Sequence, residues 1–445
     1  MKVLSNLLLV VVILAGISMH LTQEETDSNS LKFVEDLNKY LSDSDKIAID
    51  NYCNNTKIRC NSNGEIAGVI LQDLELSEFP TGITIVKDTL KDLYMKNTKL
   101  KGNIPNEIYE LTKLEHLRLE ENNFDGSLSD NIKNLDKLRV LNLTGSSLSG
   151  EIPDGLYSMT ELRFLSLRGN KFSGSLKDDI KSLDKLRNLD LADLSLSGSI
   201  PDGIYMLNNL THIHLQGNKF SGSLSNDIKS LNNLKTLNLS GNKDISGSIP
   251  DGLYALVGLE YLDLMDNNIS GSLSSKTGDM TMLTELNLGS NRLSGAIPNE
   301  IGKLNNLKVL EMRENEFEGD IPDLSGLTGL EHMNISSTKH SLNVKCDDKM
   351  LPPSIQKENC LVRPVSKLCD NVTRCEYSDK PIPKSSVGSI FYTYGLKMIV
   401  MMVKEISIHD KKSKEINVYN DQYVNIVKAM CMCVCIEKYD LYECM

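Results

Sequence analysis

The chain has 445 residues, a formal net charge of −12 and no tryptophan. This acidic excess argues against a protein that binds nucleic acid, because such a protein needs a basic face to neutralise phosphates. The length would allow two or three ordinary domains, but an array of repeats, in which each coil contacts only its neighbours, is not bound by that estimate.

The N-terminus has the layout of a secretory signal peptide. Lys2 precedes an apolar stretch at 7–15, and small residues lead to Ser18, the predicted last residue before cleavage. An uncleaved membrane anchor is the alternative, but the stretch is shorter than the ~20 residues that a span needs. A second apolar stretch, 389–403, is interrupted by Lys397 and is interpreted as a buried strand region.

A helical cap is predicted between the signal peptide and the repeats. Ser30 is the predicted N-cap of a helix over 31–41, and a second short helix is predicted over 45–52. Such a pair of helices would cover the apolar end of a stack of coils. The apolar residues on one face of the first helix are Leu31, Val34, Leu37 and Leu41.

All ten cysteines lie outside the repeats, with Cys53 and Cys60 before them and eight after. An even number, confined to the flanks of a secreted chain, predicts disulfides that fix the ends, and a bridge between Cys53 and Cys60 would hold the cap. The pairing of the other eight stays open. The alternating Cys431, Cys433 and Cys435 do not have the spacing of a zinc site, so no metal site is predicted.

One motif of 24 residues is repeated along 90–343. It reads LRVLNLTGSSLSGEIPDGLYSMTE from Leu138, and eight of the ten steps between repeats are 24 residues long. The pattern L-x-x-L-x-L-x-x-N-x-L at this period is typical of a solenoid, because a single copy cannot bury its own leucines and neighbouring copies stack to form a core. The eleven coils begin at Leu90, Leu114, Leu138, Leu162, Leu186, Leu210, Leu234, Leu259, Leu283, Leu307 and Leu330.

In each coil the L-x-L segment predicts a short strand of one parallel sheet, with the leucines in the core and the intervening residues on the concave face. An asparagine after the strand is predicted to satisfy backbone groups of the turn, at Asn122, Asn170, Asn218, Asn242, Asn267, Asn291 and Asn315. Other residues take this position at Thr98, Ser146, Leu194 and Thr338, where we expect slightly distorted coils.

A period of 48 residues overlies the first. Copies such as GEIPDGLY at Gly150 and GSIPDGIY at Gly198 alternate with GSLSDNIKNL at Gly126 and GSLKDDIKSL at Gly174. We interpret this period as the trace of a duplication, without a chemical role.

The full pattern L-x-x-L-x-L-x-x-N-x-L-x-G-x-I-P-x-x-[IL]-x-x-L resembles the plant-type leucine-rich repeats of receptor-like proteins, receptor kinases and polygalacturonase-inhibiting proteins. LTELNLGSNRLSGAIPNEIGKLNN from Leu283 matches it closely, and Cys53, Cys60 and Gly64 resemble the N-terminal cap C-x6-C-x3-G of that family, without the cap's usual tryptophans. The resemblance covers 53–343. It implies an α/β fold: an extracellular leucine-rich repeat solenoid, a right-handed horseshoe with a parallel β-sheet on the concave face. The sequence contains no Gly-rich loop, H-R-D or D-F-G motif, so no kinase domain is expected in it.

The sequence therefore predicts five segments. They are a signal peptide at 1–18, an N-terminal helical cap with the cysteine pair and a first degenerate repeat at 22–89, the repeat array at 90–343, a cysteine-containing C-terminal cap or linker at 344–383, and a small β-rich tail at 384–445 with a hairpin around 411–414. The tail resembles no family that we recognise.

No catalytic motif is found. An enzyme needs a nucleophile, or an acid and a base, converging in a pocket, whereas the many serines and aspartates here belong to the repeat itself. We therefore expect no catalytic residues and no cofactor; enzymatic activity in the tail is kept as a minor alternative.

Binding is better supported, because solenoids present extended surfaces. Aromatic side chains exposed on the concave face are enriched in binding hot spots and predict a ligand-binding patch. The alternative is that these positions vary on a tolerant surface. The candidate patch consists of Phe164, His212, His214 and Tyr261 with the neighbouring Asp263, and is bordered by Arg168, Gln216 and Met265.

Glycosylation is predicted at seven sequons, since the chain is expected to be secreted. Three of them fall in strands, where a glycan would project from the concave face. The sites are Asn54, Asn142, Asn209, Asn238, Asn268, Asn334 and Asn371.

The function predicted from the sequence is that of a secreted glycoprotein that binds an extracellular protein or polysaccharide through its repeat surface, in recognition, adhesion or inhibition. Nucleic acid is not an expected partner, and the sequence leaves the oligomeric state open. The rival hypothesis is a receptor-like protein attached to the cell surface that signals through a partner.

Overall fold

The computed structural model describes residues 28–336, 342–343, 352, 354 and 360–363. The predicted signal peptide, most of the predicted C-terminal cap, the tail with its hairpin, Thr338 and Asn371 lie outside the described residues.

The N-terminal cap begins with a helix at 28–37, in which Phe33, Val34 and Leu37 are fully buried. The helix starts before Ser30, so the prediction that Ser30 is its N-cap was wrong. The Ser30 hydroxyl instead accepts a hydrogen bond from the Ile66 N–H at 3.2 Å, which satisfies the first residue of a strand. In place of the predicted second helix, a short 3₁₀ helix spans Ile49–Asn54.

The disulfide between Cys53 and Cys60 is confirmed, with the two Cα atoms 5.5 Å apart. It closes a short loop next to Tyr52, whose hydroxyl donates to the Gly64 carbonyl oxygen at 2.9 Å. The bridge therefore ties the 3₁₀ helix to the first strand of the sheet that follows.

Fourteen strands form what we call the main sheet, in chain order and parallel except for the first pair. Each coil contributes one strand, and the leucine at its centre points into the core, where Leu117, Leu141, Leu165 and Leu189 are buried. The strands are Ile58–Cys60, Ile66–Gln72, Asp92–Lys96, His116–Arg118, Val140–Asn142, Phe164–Ser166, Asn188–Asp190, His212–His214, Thr236–Asn238, Tyr261–Asp263, Glu285–Asn287, Val309–Glu311, His332–Ser336 and Cys360–Arg363.

The last strand was not predicted. Cys360–Arg363 pairs in parallel with His332–Ser336, so the main sheet extends past 343, where the sequence period ends. The paired residues Met333 and Cys360 are 27 positions apart, which departs from the 24-residue repeat, so the periodicity did not indicate this strand.

The predicted asparagine ladder connects consecutive coils. The Asn170 side-chain amide donates to the carbonyl oxygens of Leu143 and Leu167, both at 2.7 Å, and its oxygen accepts from the Leu148 N–H at 2.9 Å. A buried amide thus satisfies backbone groups of two successive coils. Ser146, which replaces asparagine in one coil, donates to the Leu119 carbonyl oxygen at 2.7 Å, and the sheet register continues undisturbed there.

A second parallel sheet of eight strands, which we call the lateral sheet, lies along the side of the coils. Each of its strands precedes the turn that leads to the next short helix. Its strands are Ser149–Glu151, Lys171–Ser175, Ser195–Ser199, Lys219–Ser223, Asp244–Ser248, Asn268–Gly271, Arg292–Gly295 and Glu316–Phe317. Two further pairs join Lys101–Gly102 to Asn123–Phe124 and Gly319–Asp320 to Leu342–Asn343.

Short helices return the chain to the main sheet. Several begin after proline, whose fixed φ suits the start of a helix. The 3₁₀ helices are Thr81–Val86, Asn106–Glu110, Asp130–Asn134, Asp154–Ser158, Asp178–Ser182, Asp202–Met206, Asn226–Ser230, Ser275–Asp279 and Asn299–Lys303, and one α-helical turn spans Asp251–Tyr254.

The 48-residue period has a chemical role, contrary to our interpretation of it as a trace of duplication. The Gly203 N–H donates to the Asp178 carboxylate of the preceding coil at 2.7 Å. A Cβ at Gly203 would overlap the Asp178 carbonyl oxygen, so only glycine allows this approach. Gly155 and Gly252 make the same contact with Asp130 and Asn226. The two alternating kinds of coil therefore fit together as donor and acceptor.

Tyrosines repeat at the same interval. The N–H groups of Lys177 and Ser225 donate to the hydroxyl oxygens of Tyr157 and Tyr205, at 3.4 and 3.5 Å. Burial raises the pKa of both phenols. These tyrosines add a second link within each 48-residue unit.

We expect Gly203→Ala to lower the free energy of unfolding by about 2 kcal/mol, because the added methyl group forces two backbones apart. Urea denaturation measures the loss. The matched control is Gly258→Ala, where the nearest atom to a new Cβ is Lys235 Nζ at 3.8 Å. Equal effects of the two substitutions would contradict the proposed close contact.

Candidate ligand-binding surface

Two columns of side chains run along one face of the main sheet. The first column takes the first residue of each strand and the second column takes the third, and strand pairing aligns both, as predicted. Neighbours in a column are ~4.8 Å apart. The first column is Asp92, His116, Val140, Phe164, Asn188, His212, Thr236, Tyr261, Glu285, Val309 and His332; the second is Tyr94, Arg118, Asn142, Ser166, Asp190, His214, Asn238, Asp263, Asn287, Glu311 and Asn334.

At the N-terminal end of the columns, Asp92 is buried between two partners. It forms an ion pair with Arg59 and a short hydrogen bond with His116 Nδ1. Burial, with a smaller contribution from Arg118, lowers the pKa of His116 to about 4. The Arg118 guanidinium lies 4.8 Å from the centroid of the Tyr94 ring, a cation–π contact.

At the C-terminal end, the buried Glu311 is also partnered. Its carboxylate lies 3.4 Å from His332 Nε2 and accepts from the Asn334 side-chain amide at 3.2 Å. The Arg313 N–H donates to its other oxygen at 3.0 Å.

In the centre, Asp190 has only neutral donors. The Ala192 N–H donates to one carboxylate oxygen at 3.2 Å, and Ser166 Oγ lies 3.4 Å from the other. Burial raises the pKa of Asp190 to about 6, against the opposing effect of Arg168. Arg168 itself forms an ion pair with the exposed Asp193 at 3.0 Å.

Asp263, three strands further along, has similar surroundings. It accepts from the Met265 N–H at 3.0 Å and from the Tyr261 hydroxyl at 3.2 Å. Its side chain is 1% exposed, and burial raises its pKa to about 6. The protonated and ionised forms of both central aspartates are thus close in free energy near pH 6.

The two central histidines differ in their surroundings. Burial, with a contribution from Arg168, lowers the pKa of His214 to about 4, so the ring is neutral at pH 7. His212 Nδ1 and Thr211 Oγ1 are hydrogen-bonded at 2.8 Å, which orients the ring at the edge of its strand. Both residues lie where the sequence placed them, side by side on one strand.

The structure corrects one part of the predicted patch. Phe164 and Tyr261 lie in the first column as predicted, but each is only 6% exposed and neither forms an exposed aromatic anchor. Column neighbours stand close enough to cover each other's flanks. The alternation of residues along a strand predicts on which face each side chain lies, but it does not predict how exposed that side chain is.

The three bordering residues each lie two positions after the end of a strand. Arg168 is occupied by its ion pair with Asp193, and Met265 Sδ receives a weak hydrogen bond from Asn287 Nδ2 at 3.6 Å. Gln216 is 8% exposed, and its Oε1 has no hydrogen-bond partner among the described residues. Such an acceptor, buried without a donor, is costly.

Asp190 was not among the predicted binding residues, although it lies between leucines at a position predicted to face the concave side. The signal available was an acidic residue flanked by the side chains of two neighbouring coils, because Asp and Glu are seldom buried without a partner. Perturbed carboxylates of this kind are common at functional sites.

The predicted glycosylation sites have different exposures. Asn54 and Asn209 are exposed, and Asn142 and Asn268 are half-buried. Asn238 and Asn334 are buried, with the Asn238 oxygen accepting from the Ser240 N–H and hydroxyl at 3.0 and 2.7 Å. A glycan on Asn238 would require this side chain to leave its buried place, so the expectation that a glycan projects from the face here was wrong.

A model of the family described as Leucine Rich Repeat matches residues 113–135, 137–159, 161–183, 209–231, 233–256 and 282–304. No curated protein matches the chain. Together with the parallel main sheet, the match confirms the predicted fold, a leucine-rich repeat solenoid. None of the helices in the described part of the chain is long and apolar enough to cross a membrane.

Solved structures with this fold include plant receptors. The plant peptide hormone receptor RGFR1 in complex with RGF2 is 29% identical, with 65% of this chain and 53% of that chain covered and a TM-score of 0.58. A TDR receptor is 29% identical, with 66% and 55% covered and a TM-score of 0.56. A plant ice-binding protein is 25% identical, with 66% and 89% covered and a TM-score of 0.52. The chain thus spans little more than half the length of the two receptors.

The central aspartates make stability depend on pH. The folded pKa of Asp263, about 6, exceeds the ordinary value of 3.8, so its stabilising contribution is present below pH ~4 and is lost as pH rises through 6. The Asp263→Asn variant does not lose this contribution as pH rises, because asparagine does not ionise. Relative to the wild type, the variant should therefore gain about 2 kcal/mol of unfolding free energy between pH 4 and pH 7.

Denaturant titrations at several pH values measure this difference, and Asp266→Asn is the matched control because Asp266 is exposed three residues further along. A flat difference between wild type and Asp263→Asn across this range would show that Asp263 is not perturbed.

Proposed function

We propose that this chain is an extracellular binding protein whose main sheet holds an extended peptide segment of another protein across its two columns. The observation that carries the proposal is the columns themselves, which run over eleven strands without a break in register. The second column offers a polar side chain on every strand, so an extended peptide that crosses the strands meets hydrogen-bonding groups along its whole length.

The comparisons support a peptide as the ligand. RGFR1, which this chain resembles over 65% of its length, is described as a plant peptide hormone receptor and is in complex with RGF2. A polysaccharide is the alternative. Sugars commonly bind on exposed aromatic faces, and the burial of Phe164 and Tyr261 favours the peptide.

The protein is proposed to act in soluble form after removal of the signal peptide. A receptor-like protein attached to the cell surface would use the same face. Fractionating the medium and the membranes of expressing cells separates the two forms, since an attached protein stays in the membrane pellet after an alkaline wash.

Asn188→Trp should weaken binding of a library-selected peptide at least tenfold, because the indole would fill the first column between Phe164 and His212. The full chain is secreted from cultured cells, and affinity is measured by calorimetry with a peptide selected from a random display library. The matched control, Ser223→Trp, places the same side chain on the exposed lateral sheet. Equal loss in both variants, or loss only in the control, would contradict a site on the main sheet.

The lateral sheet favours a second candidate function, binding to ice. Its strands repeat Ser-Gly-Ser, and serine lies opposite serine where Ser175 meets Ser197, Ser199 meets Ser221, Ser223 meets Ser246 and Ser248 meets Ser270. Glycines between the serines keep the surface low, so hydroxyl groups form a regular array with a repeat of ~4.8 Å. An ice surface is likewise a regular array of hydrogen-bonding groups, and the plant ice-binding protein shares this fold over 89% of its length.

Inhibition of ice recrystallisation tests the second function. The wild-type chain should slow crystal growth, and Ser223→Tyr should abolish the effect, because a ring would stand above the flat array. Ser158→Tyr, at an exposed position on a short helix, should keep the activity. A wild-type protein without effect on ice would rule this function out.

A further inference from the structure

The main sheet carries four buried carboxylates, and they fall into two classes. Asp92 and Glu311, near the ends, have cationic or ionisable partners in Arg59, His116 and His332. Asp190 and Asp263, in the centre, have no lysine, arginine or histidine nitrogen within ion-pair distance among the described residues. An unpaired buried charge is costly, and a basic side chain lies beside each carboxylate near the ends of the sheet but not beside the two in its centre.

Gln216 provides a second and independent sign. It follows the strand His212–His214, which lies between the strands of the two aspartates, and its buried Oε1 lacks a donor. The hydrogen-bond donors to each carboxylate are all neutral, and because a carboxylate has about four lone-pair sites, some lone pairs remain unused. The centre of the sheet thus has acceptors in excess. A group that donates several hydrogen bonds and accepts none, an ammonium or a guanidinium, would satisfy them.

The spacing of the two aspartates selects among cationic ligands. Three strand steps separate Asp190 from Asp263, through His214 and Asn238, which corresponds to ~14 Å at ~4.8 Å a step. In an extended peptide that crosses the strands, residues four apart point to the same side and lie ~13 Å apart. Residues two apart are ~7 Å apart, and residues three or five apart point to opposite sides.

We propose that the main sheet recognises an extended peptide with two basic residues four positions apart, one paired with Asp190 and the other with Asp263. This inference rests on the proposed peptide-binding function and names the class of peptide. The basic side chains of the peptide provide at Asp190 and Asp263 the positive charge that Arg59 provides at Asp92.

The charges around each aspartate are compatible with a bound cation. Asp193 and Arg168 face Asp190, but these two are already paired with each other, and His214 is neutral above pH ~5 because burial lowers its pKa to about 4. Glu311 faces Asp263 and adds negative charge to its surroundings. The Tyr261 hydroxyl donates to the buried Asp263, so a cation that pairs with this oxygen takes the place of the hydroxyl when the tyrosine side chain turns aside.

The pairing should depend on pH. Because the pKa of both carboxyl groups is about 6, they are ionised at pH 7.5 and protonated at pH 5, where they no longer attract a cation. The wild-type protein should therefore lose its preference for peptides with the basic pair at pH 5. This comparison of affinities at two pH values needs no substitution.

The first step of the test is unbiased. The full secreted chain is used to select peptides from a random display library at pH 7.5. Enrichment of two basic residues at positions i and i+4 supports the inference. The inference would be overturned by selected peptides that lack such a pair but whose binding is abolished by Asn188→Trp. That result would leave the proposed peptide-binding function in place. A library that yields no binder would overturn both.

The second step measures affinity for three synthetic peptides that differ only in whether their two lysines are three, four or five positions apart. The four-position peptide should bind at least tenfold more tightly, and Asp190→Asn and Asp263→Asn should each remove this preference. Asp266→Asn, which removes an exposed charge beside the same strand, should change affinity less than twofold.

Circular dichroism and thermal unfolding show whether the variants fold. If they do not fold, comparing the three peptides on the wild-type protein at pH 7.5 and pH 5 shows whether the preference depends on the two carboxylates. Equal affinity for the three peptides, or a loss with Asp266→Asn as large as with Asp263→Asn, would show attraction by overall negative charge and would overturn the inference.

Discussion

The hydrogen bonds of the asparagine ladder hold each coil in register with the coil before it, and the binding surface depends on that register. An asparagine such as Asn218 donates to the carbonyl oxygens of Leu191 and Leu215 in two successive coils, at 2.7 and 3.0 Å. Leucines alone would allow coils to slide, because apolar packing is not directional. The amide fixes one alignment, and side chains at equivalent positions become straight columns.

The ladder also shows what a change in repeat length costs. The coil from Leu234 has one extra residue, and the Ile245 N–H, which would reach the next asparagine, bonds to the Asn242 carbonyl oxygen instead. The Oδ1 of Asn267 is left without a partner in the described structure. Strand pairing nevertheless continues across this coil, from Thr236 to Tyr261, so the columns are preserved.

The sequence predicted the main features of the fold because they follow from period and pattern. The main sheet, the two columns, the asparagine ladder and the Cys53–Cys60 bridge are all local consequences of a repeated motif or a short spacing. The tertiary contacts were missed. The bond from Ile66 to Ser30 joins residues 36 apart, and the strand Cys360–Arg363 lies beyond the period.

The sequence predicted where the residues of the site lie but not how buried they are or which partners they have. Alternation along the strand placed Phe164, His212 and Tyr261 on one face, yet burial and partners depend on neighbouring coils. The difference between Asp92, which has Arg59 beside it, and Asp263, which has only neutral donors, requires the structure. The buried carboxylates near the ends of the sheet have a basic side chain beside them, whereas those in the centre do not. Such a departure from favourable pairing is expected where a ligand binds.

The central claim is that the two columns bind a peptide, and photo-crosslinking tests that claim most directly. A selected peptide carrying a photoreactive side chain is bound to the secreted chain, irradiated, and mapped by mass spectrometry. Crosslinks should fall on the first and second columns between Phe164 and Asp263. Crosslinks to the serines of the lateral sheet or to the short helices would contradict the account and place the ligand elsewhere on the solenoid.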